Sequence, residues 1–467
     1  MRIVLIDIGA LRADHLGCYG YAQPTSPAID RLAQEGLLCT AAFTSDATNA
    51  GARAALLSGR FGFETGIVTD GLPGDRLLRH TPLSTCGAGA PRPLLQEYLS
   101  AAGVHTAAIT PFGRQPAPWF YTGWRETHDP WCDKEPAQVS AAEVNALALA
   151  WLAAHAGRDF FLYLTYNDLY QPAGTPLSEQ AAPYLAQVAA GAASGRPDEQ
   201  AFSDHLSLHA AFSPRLHRAP TRESMAHIAQ QYDCRLRAVD DAVGAVMQTL
   251  ERLGIADETA VAVISDHGVL FGECGCYGGH ISAHYYCVRI PLILRAPQLA
   301  AAVKVADLRY GFDLTSTICA IAGLAPPSGY HGRSLLQAPG AGAPGGREYV
   351  VCGHGHYTAQ RTVISARWKL NRTWHAGFWH FADTALYDIV ADPREETDRA
   401  GTEAVHVLDL TRKLRQWIGE YGADLPDPLA RIACQEPPGF LAFGQELRAR
   451  VRRGDLRAPE GYKGRWA

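Results

Sequence analysis

The chain has 467 residues, 47% of them hydrophobic and 19% charged, with a formal net charge of −5. A chain of this length buries a large core, its apolar content excludes disorder, and its acidic balance excludes the basic footprint of a nucleic-acid binder, so a small-molecule partner is expected. Eleven cysteines, an odd number scattered from Cys18 to Cys434, argue against a disulfide framework and for reduced, mostly buried thiols.

The first strand-like run, "RIVLIDIG", begins at Arg2 and leaves no room for a signal peptide. No apolar run reaches membrane-spanning length, so a cytoplasmic location and no membrane partner are expected. Helical periodicity follows in "SPAIDRLAQEG", then "LLQEYLSAAG" leads into the strand "VHTAAIT" and "AEVNALALAWLAAH" into "DFFLYLTY". Farther on, "YDCRLRAVDDAVGAVMQTLERLG" precedes the strands "TAVAVISD" and "IPLILRAP". Apolar strands separated by amphipathic helices predict an α/β fold, a large mixed and mostly parallel sheet covered by helices on both faces. In such sheets ligands bind at the carboxyl ends of strands, which directs attention to the residues after "DIG", around "TNAGAR", after "LTYND" and after "VISD".

The segment from Gln171 to Arg222 is polar, alanine-rich and weakly periodic, an excursion over the sheet. The Gly/Pro-rich run "APGAGAPGG" marks a boundary, giving an α/β domain over residues 1–337 and a linker over 338–348. Strand-like runs then predict a smaller C-terminal α+β subdomain with an antiparallel sheet over 349–425, and a helical basic tail over 426–467, read as a solvated face or subunit contact. The oligomeric state is not encoded legibly.

Five runs, "LRADHLGCYGYAQPTSPAIDRLAQEG" (Leu11–Gly36), "RAALLSGR" (Arg53–Arg60), "VISDHG" (Val263–Gly268), "RIPLILRAP" (Arg289–Pro297) and "LYDIVADPREE" (Leu386–Glu396), lie in one order and spacing along most of the chain. Together they resemble the sulfatase family of the alkaline phosphatase superfamily. The resemblance implies an alkaline phosphatase-like fold and a C/S-x-P-x-R motif at a helix start, whose cysteine or serine becomes the formylglycine nucleophile. It also implies a divalent cation, usually calcium, on two tandem Asp after the first strand and an Asp with Asn or His after a later one. Oxygen-rich ligation of this kind suits a hard cation.

Against that pattern the sequence departs at the decisive places. Counting back from Arg53 puts Asn49 at the modifiable residue and Gly51 at the proline, and an amide cannot become formylglycine. Gly9 and Ala10 stand at the tandem Asp positions, with no side chains able to ligate. Tyr170 falls at a histidine and His280 at a lysine, while Arg53, Asp266 and His267 remain. The catalytic candidates are therefore Asn49 at the altered nucleophile position, Arg53, Tyr170 and His280.

Thr48 is an alternative nucleophile, but it lies one position too far from Gly59 for the family spacing. Asp7 shares a strand face with Gly9, about 6 to 7 Å deeper, so Asp7, Asp266 and His267 form a candidate metal set, its alternative reading being a buried, hydrogen-bonded Asp7. A second cluster, Cys274, Cys276, His280 and His284, suits zinc in residue type but matches no standard zinc spacing; its other reading is core thiols and pocket-lining histidines. The alternating histidines of "CGHGHY" read as surface pairs. Arg53 has no neutralising acid near it in sequence and opens a helix, so it either faces a bound anion or makes a structural salt bridge elsewhere.

Two functions follow. The first is a sulfatase-like protein without formylglycine chemistry that binds a small anionic ligand, sulfated, phosphorylated or carboxylate, or has rebuilt chemistry. The second is an active metal-dependent sulfuric or phosphoric ester hydrolase with displaced ligands, holding calcium or another divalent cation, with zinc as a further option. On the first reading Arg53, His267 and His280 converge on the anion, and binding strengthens as pH falls through roughly 6 to 7.

Overall fold

Strand β1 (Arg2–Ile8) is buried along nearly its whole length, as a strand with neighbours on both sides and helices on both faces must be. The computed structural model describes the chain except for residues 71–76, 78–91, 113–116, 132, 172–174, 189–221, 276, 338–345, 378, 380, 423–426, 442–444, 446–451 and 454–467. The linker predicted over 338–348, most of the excursion over 171–222 and most of the basic tail thus lie largely outside the described residues.

Beside β1 run β2 (Leu37–Phe43), β3 (His105–Ile109), β4 (Glu126–His128), β5 (Phe160–Tyr166) and β6 (Thr259–Ile264). A short ribbon, β7 (Leu270–Phe271) with β8 (Tyr277–Gly279), precedes β9 (Arg289–Arg295), β10 (Val303–Val305) and β11 (Arg309–Tyr310). The nine-stranded sheet runs β10-β2-β9-β6-β1-β5-β3-β4, with β11 also on β2. β1 pairs in parallel with β5 and β6, whereas β9 runs antiparallel between β2 and β6.

The alternation of β1 divides the core. Val4, Ile6 and Ile8 join the cluster under helices α1 (Pro27–Glu35), with Pro27 at its start, α4 (Ala141–His155) and α5 (Arg222–Arg252). Ile3 and Leu5 join the opposite cluster with α2 (Asn49–Ser58), α3 (Leu95–Ala101) and α6 (Asp313–Ile321). Burial of these alternate faces contributes most of the stability, about 25 cal/mol for each Å² of apolar surface removed from water. None of the helices among the described residues is long and apolar enough to cross a membrane, and the described cysteines are free thiols.

An antiparallel meander, β12 (Val350–His354), β13 (Ala359–Ile364), β14 (Trp368–His375) and β15 (Thr384–Asp388), forms the predicted second sheet. It shares a hydrophobic cluster with Phe43, Ala47, Ala55 and Phe61 of the larger unit and with α7 (Ala404–Gly422). Backbone bonds cross the seam, Ala47 N–H to the Gly353 carbonyl at 2.8 Å and Gly353 N–H to the Ser45 carbonyl at 2.8 Å. This seam brings β12 against the start of α2.

Candidate functional site

Asp7 is the penultimate residue of β1, in register with Thr165 of β5 and Ile264 of β6, so the turns after all three strands open on one edge of the sheet. α2 begins on the same edge. Asn49 and Arg53, one helical turn apart, face it together.

The Arg53 side chain is 1% exposed and reaches inward rather than toward solvent. Its Nε donates to Asp7 Oδ2 at 2.7 Å, and its Nη1 lies 3.1 Å from Asp266 Oδ2. The guanidinium carbon stands 4.7 Å from the Phe112 ring centroid, a cation–π contact in a dry setting. Tyr163 donates its hydroxyl to the same Asp7 oxygen. Burial raises the Asp7 carboxyl, with Arg53 opposing that shift. For Asp266 burial pulls upward too, but His267, Arg53 and the Tyr170 hydrogen bond outweigh it and hold this carboxyl below its ordinary value. Two buried carboxylates thus share one fixed cation.

Asp266 is saturated by protein donors. Its Oδ1 accepts from Ala10 N–H at 3.1 Å and from His267 N–H at 2.8 Å, while Oδ2 receives the Tyr170 hydroxyl and faces Arg53. The Tyr170 ring closes the space above Gly9, where an added β-carbon would lie 2.3 Å from Tyr170 Cε2. Ala10 adopts the left-handed conformation at φ 58°, which its bonds to Asp266 and to the Tyr232 hydroxyl hold in place.

A second layer lies toward solvent. Asn49 N–H donates to Asp70 Oδ1, His280 Nε2 meets Asp70 Oδ2 at 2.9 Å, and His356 Nε2 is 3.6 Å from the same oxygen. Burial alone would raise Asp70, but His356 and His280 hold it well below the usual carboxylate range. The His267 and His280 rings are 4.0 Å apart, and the His267 Nε2 lies 2.6 Å from the Asn49 side-chain amide. Burial, reinforced by His280, depresses His267 to about 4, so it is neutral at pH 7. Its Nδ1–H goes to the Gly268 carbonyl at 2.8 Å. A neutral ring so engaged accepts at Nε2, so the Asn49 amide, whose Oδ1 is placed against it, is assigned with its O and NH2 exchanged. Asn49, Asp70, Tyr170, His280 and His356 form the part-exposed rim.

Several expectations are corrected here. Arg53 is not a receptor poised for an external anion: it makes the structural salt bridges, with acids distant in sequence. Arg53, His267 and His280 do gather on one edge, but the guanidinium is held by Asp7 and Asp266 through Nε and Nη1, with Nη2 buried and unpartnered among the described residues. In the candidate metal set, Asp266 and His267 are engaged by protein partners, while Asp7 Oδ2 meets Arg53 and Tyr163 and Oδ1 is buried without a partner among the described residues. Thr48 is fully buried at the cap of α2. The histidines of "CGHGHY" are not surface pairs: His354 is fully buried, its Nδ1 against the Ala47 carbonyl at 2.9 Å, and His356 belongs to the rim. Of the second cluster, His280 goes to Asp70, and His284 is held at Nδ1 by Tyr286 N–H and at Nε2 by the Arg394 carbonyl. Cys274 remains near His284 and Glu395, and Cys276 lies outside the described residues. Asp70 escaped the sequence reading, which took His356 only as half of a surface pair; their spatial neighbours mark both.

A model of the sulfatase family matches residues 2–324. The chain belongs to the sulfatase family. It is similar to an N-acetylglucosamine-6-O-sulfatase of Bacteroides thetaiotaomicron, 29% identical over 208 residues, 42% of this chain and 37% of that protein. Among the first curated relatives the matched stretch covers 37%, 9% and 65% of the relative's length. The fold is that of a phosphonate monoester hydrolase of Agrobacterium radiobacter, at TM-score 0.68 and 18% identity over 90% of this chain and 96% of that one. It is also that of a protein solved with its substrate D-glucosamine-2-N,6-O-disulfate, at TM-score 0.68 and 18% identity over 91% and 99%.

The sulfatase cation does not fit the residues present. A hard divalent ion needs six or more oxygens, with negative charge facing it. Here Gly9 and Ala10 offer no side-chain oxygen, Asp266 is saturated, and a guanidinium lies between the two remaining carboxylates.

Proposed function

We propose that this sulfatase-family protein does not perform formylglycine sulfatase chemistry and instead binds a small anionic molecule without a metal. One observation carries the reading: Arg53 lies between Asp7 and Asp266 and supplies internally the positive charge that a bound cation would bring. Asn49, at the helix position where the resemblance implies the modifiable residue, has an amide with neither thiol nor hydroxyl to oxidise. Ester hydrolysis draws most of its acceleration from covalent attack and from stabilisation of the developing charge by a cation, and neither has a source in these residues.

The ligand surface is the rim. A sulfate, phosphate or carboxylate group accepts hydrogen bonds from His280, His356 and the backbone N–H of Asn49, the donors that Asp70 now occupies. The sulfated substrate of the structural relative supports an anionic ligand class for this site as well.

The test is calorimetry with inorganic sulfate, phosphate and sugar sulfates on chelator-treated protein, alongside turnover of an aryl sulfate after co-expression with a formylglycine-generating enzyme. Saturable binding that His280→Ala weakens at least fivefold, with no turnover, is expected. Turnover that depends on added calcium would replace this reading with that of an active hydrolase.

A further inference from the structure

At the opposite edge of the sheet, where the parallel strands begin, three elements deliver a second constellation. His105 is the first residue of β3, Glu126 the first of β4, and His155 the last of α4. His105 Nε2 lies 2.6 Å and His155 Nε2 3.6 Å from the same carboxylate oxygen, Glu126 Oε1. We propose that His105, Glu126 and His155 form a binding site for a divalent metal ion of the zinc type.

The supporting contacts are those a metal site requires. Histidine ligands usually donate their second ring N–H to a carbonyl, which fixes the tautomer and aims the free lone pair. The His155 Nδ1–H is donated to the Trp151 carbonyl at 2.8 Å, so Nε2 turns a lone pair toward an ionised carboxylate. Two acceptors facing one another need a proton or a metal cation between them. Glu126 is fixed at its other oxygen by the Trp151 indole N–H at 2.7 Å, with His128 Nε2 at 3.1 Å as a neighbouring fourth donor atom. The Trp151 ring stacks on His155 at 4.1 Å and holds it in the plane of the site. All three ligands are partly exposed, His105 at 15%, Glu126 at 29% and His155 at 18%, so an ion reaches them from solvent.

Two imidazole nitrogens and one carboxylate oxygen are a nitrogen-rich set that favours zinc over calcium, with ligand atoms to be drawn in to about 2.0–2.2 Å from the ion. One cost is visible. His105 accepts at Nδ1 from Arg158 Nη1 at 3.3 Å, so its Nε2 carries the proton in the free protein. Binding moves that proton from Nε2 to Nδ1, so the neutral ring changes tautomer and parts from Arg158 without net proton release.

Zinc titration of the chelator-treated full-length protein, by calorimetry and by thermal unfolding, tests the site. One ion per chain is expected, with a raised Tm, and both Glu126→Gln and His155→Ala should weaken binding at least tenfold. Glu126→Gln preserves an acceptor for Trp151, so it distinguishes lost ligation from lost folding. Cys274→Ala, which touches the separate Cys274, His284 and Glu395 group, should bind zinc as the wild type does. Absence of stoichiometric binding, wild-type affinity in either ligand variant, or loss in Cys274→Ala would overturn the proposal.

Discussion

Tyr170 occupies the space that any side chain at position 9 would need, since a β-carbon on Gly9 would fall 2.3 Å from its Cε2 and 2.6 Å from its Cζ. The ring is held there by its hydroxyl, which donates to Asp266. Gly9→Ala should therefore cost about 1–3 kcal/mol by overpacking, and much less in a Tyr170→Ala background. A denaturant double-mutant cycle reads the difference; equal costs in both backgrounds would refute the steric coupling.

Removing the internal cation should expose a latent one-ion site. Arg53→Ala leaves Asp7 and Asp266 facing each other without their guanidinium, at a cost of about 3–5 kcal/mol. Calcium should raise the Tm of this variant while leaving the wild type unchanged. If calcium stabilises the wild type equally, the guanidinium does not stand in the cation's place.

His267 should contribute a loss of stability in acid, opposite in sign to the buried Asp168 and Asp240, whose carboxyls burial raises to about 7, so the comparison is with His267→Asn. The ring is depressed from 6.5 to about 4 by burial. Between those values the unfolded chain binds a proton that the folded chain refuses, so this contribution to stability falls as pH drops through this window and is fully retained above it. The integrated loss is about 3 kcal/mol. Urea unfolding from pH 7 down to pH 4.5 should show this slope in the difference between the wild type and His267→Asn. Because His267 stays neutral through pH 6 to 7, it cannot supply the pH-dependent anion binding expected of that range.

Asp70 is a resident anion at the start of α2, engaging Asn49 N–H and His280. Asp70→Asn should strengthen binding of sulfate or phosphate about tenfold, the worth of one charge-assisted hydrogen bond at its lower end. Calorimetry at fixed ionic strength would decide, and unchanged or weaker affinity would remove the rim from consideration.

The apolar runs determined the architecture because burial on two faces writes itself into local pattern. "RIVLIDI" and "FFLYLTY" could only be strands with helices on both sides, and "PAIDRLAQE" only a one-sided helix. The single turn separating Asn49 from Arg53 likewise placed both on one helix face. Sequence also displayed the missing side chains at Gly9 and Ala10. What it left open was the fate of Arg53, a choice between a bound anion and an internal acid. The tertiary structure decided it, because Asp7 and Asp266 lie 46 and 213 positions away along the chain and reach the guanidinium only through the parallel register of β1 and β6. Asp70 and His356 entered the rim for the same reason, across the seam between the two sheets. Periodicity encodes which face of an element is buried; which charges meet at the strand ends depends on topology, and no local pattern carries that.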